Sequence, residues 1–305
     1  MLKFILVKLA QALVSVFGAS IIVFLLARAS GDPVNLMVSA NATTEEIESL
    51  RATLGLDRSL LEQYLTFLSH ALRGDFGQSI HYHRPAIDVV MSSVGATLML
   101  GSIAFLVTVL LAVPAGVYAA ARRDGRFDRC VRGLAAAAQA LPSPWVGTLL
   151  ILLFSVTLGV LPTSGSQGWQ SFILPVTTLV IFSIAGLLRL TRSSMLETLG
   201  TEYVRFARVK GVSERAVLWR HAFRNASLSV LTLGALVLLS MLSGSIIVET
   251  VFGWPGIGRA VVQAVNQRDF PVVQVIVLFM SVAYIMGNFV VDVLYACLNP
   301  RIRSA

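Results

Sequence analysis

The stretch GATLMLGSIAFLVTVLLAVPAGVYAAA, residues 95–121, contains no Asp, Glu, Lys or Arg. A membrane-crossing helix needs about 20 mostly apolar residues, so this segment alone is long enough to span a bilayer. Five further stretches read the same way: Leu9–Ala29, Leu134–Leu158, Phe172–Leu190, Leu228–Val248 and Val272–Ala296. Pro142 and Pro144 fall inside the third of these six spans. The reading carries one span through them, since Pro is tolerated where neighbouring helices cover the freed backbone groups. Composition agrees: of 305 residues, 56% are apolar and 13% charged, with mean hydropathy +0.78. A soluble domain carries about 25% charged residues, and disorder needs few apolar ones. Both classes are excluded, leaving an all-α integral membrane protein with six transmembrane helices.

The first span resembles a secretory signal, with Lys3 and Lys8 ahead of it and Ala27-Arg28-Ala29 at its end. Its apolar run outlasts the roughly 7–15 residues of a signal core, so it is expected to stay as a helix. Basic residues set the orientation. One side takes Lys3, Lys8, Arg122, Arg123, Arg126, Arg129, Arg132, the run from Arg189 to Arg224, Arg301 and Arg303. These are 17 of the 24 basic residues, so that side, with both termini, is expected in the cytosol. The formal net charge of +8 is thereby explained without nucleic acid. Cys130 and Cys297 have no metal-ligand spacing and read as free thiols on the cytosolic side.

The outer segment between the first two spans, residues 30–94, is expected to hold short helices. Thr43 or Thr44 can cap one that ends near Gly55. A second amphipathic stretch, Ser59 to Leu72, sets Leu60, Leu61, Tyr64, Leu65 and Leu68 on one face, as a solvated cap on the bundle. No catalytic constellation is present: GxxxxGK[ST], HExxH and GxSxG are all missing from the sequence. His81 and His83 are too few to close a metal site.

The inner loop from Thr191 to Asn225 is expected to form two helices interrupted at Gly211. Thr201 caps the first and Ser213 the second, which reaches about Phe223. Tyr203, Phe206, Ala207 and Lys210 share one face; Val217, Leu218, His221 and Ala222 share another. Trp219 and Phe223 add aromatic surface of the kind that anchors interfaces. By physics alone this pair binds a protein or lies on lipid headgroups, and both readings are open.

The string EYVRFARVKGVSERAVLWRHAFRNA, residues 202–226, resembles the cytoplasmic coupling segment of binding-protein-dependent ABC importer permeases, specifically the dipeptide/oligopeptide/nickel family. VETVFGWPGIGR (248–259), RDFPVVQ (268–274), NFVVDVLYACLNPRIR (288–303), LGLDRSLLEQYLTFL (54–68), GDFGQS (74–79) and Arg84-Pro85 extend the resemblance nearly end to end. It implies the type I importer architecture in one domain, residues 1–305, in the bacterial inner membrane. It further implies a second permease subunit, two cytosolic ATPases that hold ATP and Mg, and an external substrate-binding protein. This chain itself would hold no cofactor. The residues it assigns to ATPase coupling are Glu202, Tyr203, Arg205, Phe206, Ala207, Arg208, Gly211, Ser213, Glu214, Trp219, His221, Phe223 and Arg224. Two departures stand out: Arg205-Phe206-Ala207 replaces the general motif's Glu-Ala-Ala, and Ser229 stands where many relatives carry Pro, which would straighten the fifth span's start. The family spans peptides, glutathione-like compounds and nickel or metal chelates. A channel or receptor without an ATPase is the alternative of another class.

On the sixth span Ser281, Tyr284, Asn288, Asp292 and Tyr295 form a polar stripe. It lines the path or bonds between helices near the cytosolic end, where Asp292 sits, and the second reading is preferred. Glu249 closes the fifth span, just before Phe252, Trp254 and Pro255. That loop either faces the external partner or sits as a turn with Trp254 at headgroup level. Gly234, Ser240, Ser243, Gly244 and Ser245 offer a small-residue surface for close packing.

Overall fold

The computed structural model of the protein describes residues 2–29, 43–53 and 55–298. The stretch 30–42, residues 299–305 with Arg301 and Arg303, and the side chains of Lys3, Ser243, Gly244 and Cys297 lie outside the described residues. The helices are α1 (Leu2–Ala29), α2 (Thr44–Thr53), α3 (Leu60–Leu72), α4 (Ala86–Ala121), α5 (Arg126–Ala140) and α6 (Ser143–Leu150), which continues as a π-helix over Ile151–Thr157. They continue with α7 (Gln170–Leu199), α8 (Glu202–Val209), α9 (Glu214–Ala216), α10 (Phe223–Gly244), α11 (Ile246–Val251), α12 (Ile257–Asn266) and α13 (Phe270–Leu298). Among the described residues no strand forms; one isolated bridge joins Gln78 and Pro85.

Among the described residues five helical stretches are long and apolar enough to cross a membrane, or six if the bent pair 126–140 and 143–157 is counted as one span. The bend corrects the expected third span. Leu141 precedes Pro142, whose ring pushes it out of the helical region; it sits extended at φ −94°, ψ 136°. The chain turns by 101° there. α5 therefore becomes a separate amphipathic helix, and residues 143–157, with Pro144 in the first turn of α6, form an apolar arm of 15 residues that is shorter than a full helical crossing.

At the centre α4 packs along α7 and against α10. Small residues permit the approach: a Cβ on Gly116 would lie 2.7 Å from Thr191 Cβ, and one on Gly101 2.9 Å from Leu242. Buried hydroxyls need partners in so apolar a body. Thr108, Thr178 and Thr191 each donate to the carbonyl four residues earlier in their own helix, at 2.8, 2.9 and 2.7 Å. Pro114 and Pro175 sit inside α4 and α7. α1 lies against α13, where Lys8 Nζ meets Asp292 at 2.9 Å.

At the basic end Asp128 of α5 is fully buried and accepts two bonds from Arg192 of α7, at 2.6 and 2.7 Å, and a third from the Asp124 N–H at 3.0 Å. This pair fixes the displaced α5 to the bundle. Arg192→Ala removes the forked pair and leaves the buried carboxylate only the 3.7 Å contact of Arg132, and is expected to cost up to about 3–5 kcal/mol. Asp128→Asn is expected to cost less, because Arg192 keeps 15% of its side chain exposed and can turn toward water. Unfolding midpoints of the two variants in detergent check this ordering; equal losses would contradict it.

Candidate functional site

Two built regions stand at opposite ends of the bundle. At the basic end α8 is closed by a glycine turn. Gly211, at φ +77°, donates to Arg208 O at 2.9 Å, and Val212 donates to Ala207 O at 3.2 Å. This is the paired bonding of a Schellman cap, which requires the left-handed conformation glycine adopts freely. The Thr201 hydroxyl does not cap α8 as expected; it donates back to Thr198 O. Ser213 precedes α9 but makes no side-chain cap bond either. The second helix does not stop near Phe223. It runs on through a π-helix, Val217–Ala222, into α10 with no break at Ser229.

The faces of the pair also differ from the expectation. Val204 and Ala207 point inward and form a core with Val217, Leu218 and Ala222, against Val117 and Ala120 of α4 and Met195 of α7. Trp219 and Phe223 are half-buried at the margins of the bundle's own cores, their rings edge to face at 5.3 Å. They anchor the pair to this chain rather than standing out from it. The exposed apolar groups are instead Tyr203, Phe206 and Val209, the last with 84% of its surface open. Cations surround them. Lys210 Nζ lies 4.6 Å from the Phe206 ring centre, Arg208 is forked onto Glu214 at 2.8 and 3.4 Å, and Arg205 meets Glu202 at 3.3 Å. Tyr203 accepts from Asn225 at 2.6 Å and donates to the His221 carbonyl at 3.4 Å. Arg215 and Arg224 are exposed. Val209 and Asn225 escaped the sequence reading; their only signal was the i, i+3 register with Phe206 and the proximity of the two helices in sequence.

The opposite end is organised by Glu249, which is fully buried. One carboxylate oxygen accepts from Thr97 Oγ1 at 2.8 Å and from Ser245 Oγ. The other accepts from the backbone N–H of Gly258 at 2.7 Å and of Arg259 at 3.2 Å. Those N–H groups open α12, where a helix has no internal acceptors and favours negative charge. Ile257 N–H turns to Thr97 Oγ1 at 2.8 Å. Glu249 thus joins helices, the inter-helix role among the two expected of it. A Cβ on Gly256 would collide with its carboxylate, and one on Gly258 would lie 2.5 Å from Ile246 Cα.

The loop it supports is buried too. Phe252 and Trp254 are 2% and 0% exposed, and Trp254 donates from Nε1 to Ala96 O at 2.9 Å while its ring stacks edge to face on Phe172. Neither residue is an external contact or a headgroup anchor; Pro255 alone of the three is exposed. A second buried carboxylate, Asp269, was not singled out from the sequence. It accepts from Ser79 Oγ at 2.5 Å and from the N–H groups of Ile80 and His81 at 3.2 and 3.3 Å. It thereby fastens the GDFGQS segment to the start of α13. The fastened loop presents His81 and His83 outward, and no group of three or more metal-type ligands occurs among the described residues.

The stripe on α13 divides. Asp292 pairs with Lys8, and Tyr295 lines an apolar cavity of about 390 Å³ with Phe105, Leu187 and Val230. Ser281 and Asn288 are half-buried and Tyr284 is exposed.

An apolar helical bundle with a cation-rimmed helix pair at one end and a bonded cap at the other is the architecture of a multi-span membrane protein. The sequence pattern described as "Binding-protein-dependent transport system inner membrane component" matches residues 112–304, and that of its N-terminal part matches residues 1–101. The glutathione transport system permease protein GsiC of Escherichia coli strain K12 is 41% identical over 304 residues, covering 99% of both chains. The same protein of Shigella dysenteriae serotype 1 is equally similar. Among solved structures, the inward-facing MetNI methionine ABC transporter aligns with TM-score 0.55 at 16% identity, over 69% of this chain and 96% of that one. An amino acid ABC transporter with histidines aligns at 0.53 and 18%, over 75% and 97%. The chain belongs to the family of binding-protein-dependent transport system inner membrane components.

Removing the Glu249 acceptor tests the cap. Glu249→Ala strands the N–H groups of Gly258 and Arg259, at about 1–3 kcal/mol for each buried donor. Glu249→Gln is expected to be milder, because its carbonyl can face those N–H groups while its amide faces the rotatable hydroxyls of Thr97 and Ser245. Detergent unfolding curves that place both variants together would show that the charge, not the bonding pattern, matters.

Proposed function

We propose that this chain is one of two permease subunits that form the path of an ATP-driven importer for peptide-like solutes. An external binding protein delivers the solute. Two cytosolic ATPases, which hold the ATP and Mg, drive the cycle. The observation that carries this reading is the exposed Tyr203–Phe206–Val209 face. It is apolar and ringed by Arg205, Arg208 and Lys210, on a helix whose inner face is rooted in α4 and α7. A short helix held that firmly at one end and left apolar at the other suits insertion into a groove of a partner that pushes on it. The glutathione permeases among its relatives support a peptide-like solute over a nickel chelate.

Reconstitution with the ATPases tests the reading. Truncating an interface anchor typically costs about 2–4 kcal/mol, so Phe206→Ala and Val209→Ala should lose ATPase retention and coupled uptake. Trp219→Ala should instead lower the unfolding temperature. Full uptake in the absence of any ATPase would leave the channel reading standing and this one not.

Orientation has its own check. Cys130 is exposed at the basic end. In a Cys297→Ser chain it is expected to react with an impermeant thiol reagent in inside-out vesicles and to stay unlabelled in sealed cells. Labelling of sealed cells would invert the topology.

A further inference from the structure

The helix α3 is joined to the first span well inside the span's apolar stretch. Its Tyr64 is buried, and its hydroxyl shares a 2.8 Å hydrogen bond with Ser20. The same ring meets Phe17 and Phe24 edge to face, at 5.9 and 5.5 Å between centres, and Phe67 adds a second contact to Phe24. The candidate span of α1 runs from Phe4 to Leu26. Ser20 and Phe17 therefore lie about 9 and 13 Å inside its end, at 1.5 Å per residue. A helix fastened at that depth cannot be a cap floating above the bilayer.

Around α3 the surface divides into edges. Tyr64 and Phe67 turn toward α1, and half-buried Leu68 lies between them and the leucine edge. Leu61, Leu65 and Leu72, which share one edge by their spacing, are 67%, 54% and 82% exposed, with Leu60 at 61%. Glu62, Thr66 and Ser69 form the polar edge, and Gln63 is turned away to the carbonyls of Leu56 and Arg58. At the same level α1 shows Ile22, Leu25 and Leu26 on its own exposed surface. The start of α3 is fixed by a capping box, in which the Ser59 hydroxyl accepts from Glu62 N–H and the Glu62 carboxylate accepts from Ser59 N–H. A helix with a leucine edge, a polar edge and an attachment below the membrane surface has the pattern of an interfacial helix.

We infer that α3 is a membrane-embedded interfacial helix, whose Leu61–Leu65–Leu72 edge lies among the acyl chains of the outer leaflet and whose Glu62–Thr66–Ser69 edge faces water. The occupant of this apolar face is lipid. It is not the external binding protein, because the Tyr64–Ser20 attachment sets the helix at acyl-chain depth. The outer segment thereby becomes a foot resting in the leaflet beside α1, and it fixes the approach of residues 74–85 to the bundle. The inference is independent of the transport reading, since it concerns only the chain and the bilayer.

A depth measurement tests it on the full chain. In a Cys130→Ser, Cys297→Ser background, single cysteines at Leu65, Leu72 and Ser69 are labelled with an environment-sensitive fluorophore. The labelled chain is placed in phosphatidylethanolamine–phosphatidylglycerol vesicles containing a doxyl-labelled lipid. The labels at 65 and 72 are expected to be quenched by the doxyl lipid about threefold more than the label at 69, with the opposite order for aqueous iodide. All three sites are exposed, so labelling is expected to leave the unfolding temperature unchanged, and the two leucine sites check one another. Equal iodide access at the three sites overturns the inference in favour of a solvated cap. Iodide access at 65 and 72 that closes only when the external binding protein is added overturns it in favour of a protein partner.

Discussion

A helix that begins inside an apolar body has N–H groups with neither water nor a preceding turn to accept them. The fold meets that constraint at α12 with one side chain. Glu249 places a carboxylate under the N–H groups of Gly258 and Arg259 and gathers the Thr97 and Ser245 hydroxyls on its other oxygen. Because α4 supplies Thr97, α11 supplies Glu249 and α12 supplies the donors, three elements are fixed together by a single acceptor. The glycines at 256 and 258 follow from this, since a Cβ at either would occupy space the carboxylate or the Ile246 backbone already fills. Trp254 and Phe252 can then be buried in the core that α4 and α7 help to line, with the indole N–H satisfied by Ala96.

Asp128 and Asp269 solve related problems by different donors. Asp128 uses a guanidinium, which brings charge and a planar fork, and so joins a bent-away helix to the bundle over a sequence separation of 64 residues. Asp269 uses a hydroxyl and two backbone N–H groups, which order a loop without importing a cation. With Glu249, these buried carboxylates hold joints that apolar packing alone would leave loose. Elsewhere, where helices are continuous, Ala, Gly and self-satisfied Thr suffice.

Much of this was legible in the sequence and some was not, for reasons that can be named. The spans were readable because twenty uncharged apolar residues have few other uses. The cap at Thr43 or Thr44 was readable because a hydroxyl followed by Glu residues is a local signature, and it forms at Thr43, whose Oγ1 accepts from Glu46 N–H; the cap at Ser59, equally local, was not singled out. The break at Pro142 was not, because whether a proline kinks a span or ends it depends on what covers the freed carbonyls. The faces of α8 misled for another reason. On a helix with apolar groups at 203, 204, 206, 207 and 209, periodicity identifies two apolar sides and cannot say which one the bundle takes. The bundle took the smaller residues, Val204 and Ala207, since only they allow close approach to Ala120 of α4 and Met195 of α7. Glu249 was visible as a carboxylate at a span end, but its donors are backbone groups that carry no residue-type signal.

The same preference for small inward residues explains why the aromatic groups at this end divide into two roles. Tyr203 and Phe206 sit on a helix of eight residues whose inner face has room only for Val204 and Ala207, so their rings must turn out. Trp219 and Phe223 lie on the helical stretch that leads into α10, and they pack inward beside Leu187 and Val230. The inner aromatics therefore join the exposed pair to the root of α10. That helix continues to Gly244, one residue short of Ser245, whose hydroxyl rests on Glu249. One nearly continuous helical path thus runs from the exposed face at the basic end to the buried carboxylate at the other. A displacement of the helix pair must either bend α10 or be felt at the Glu249 joint.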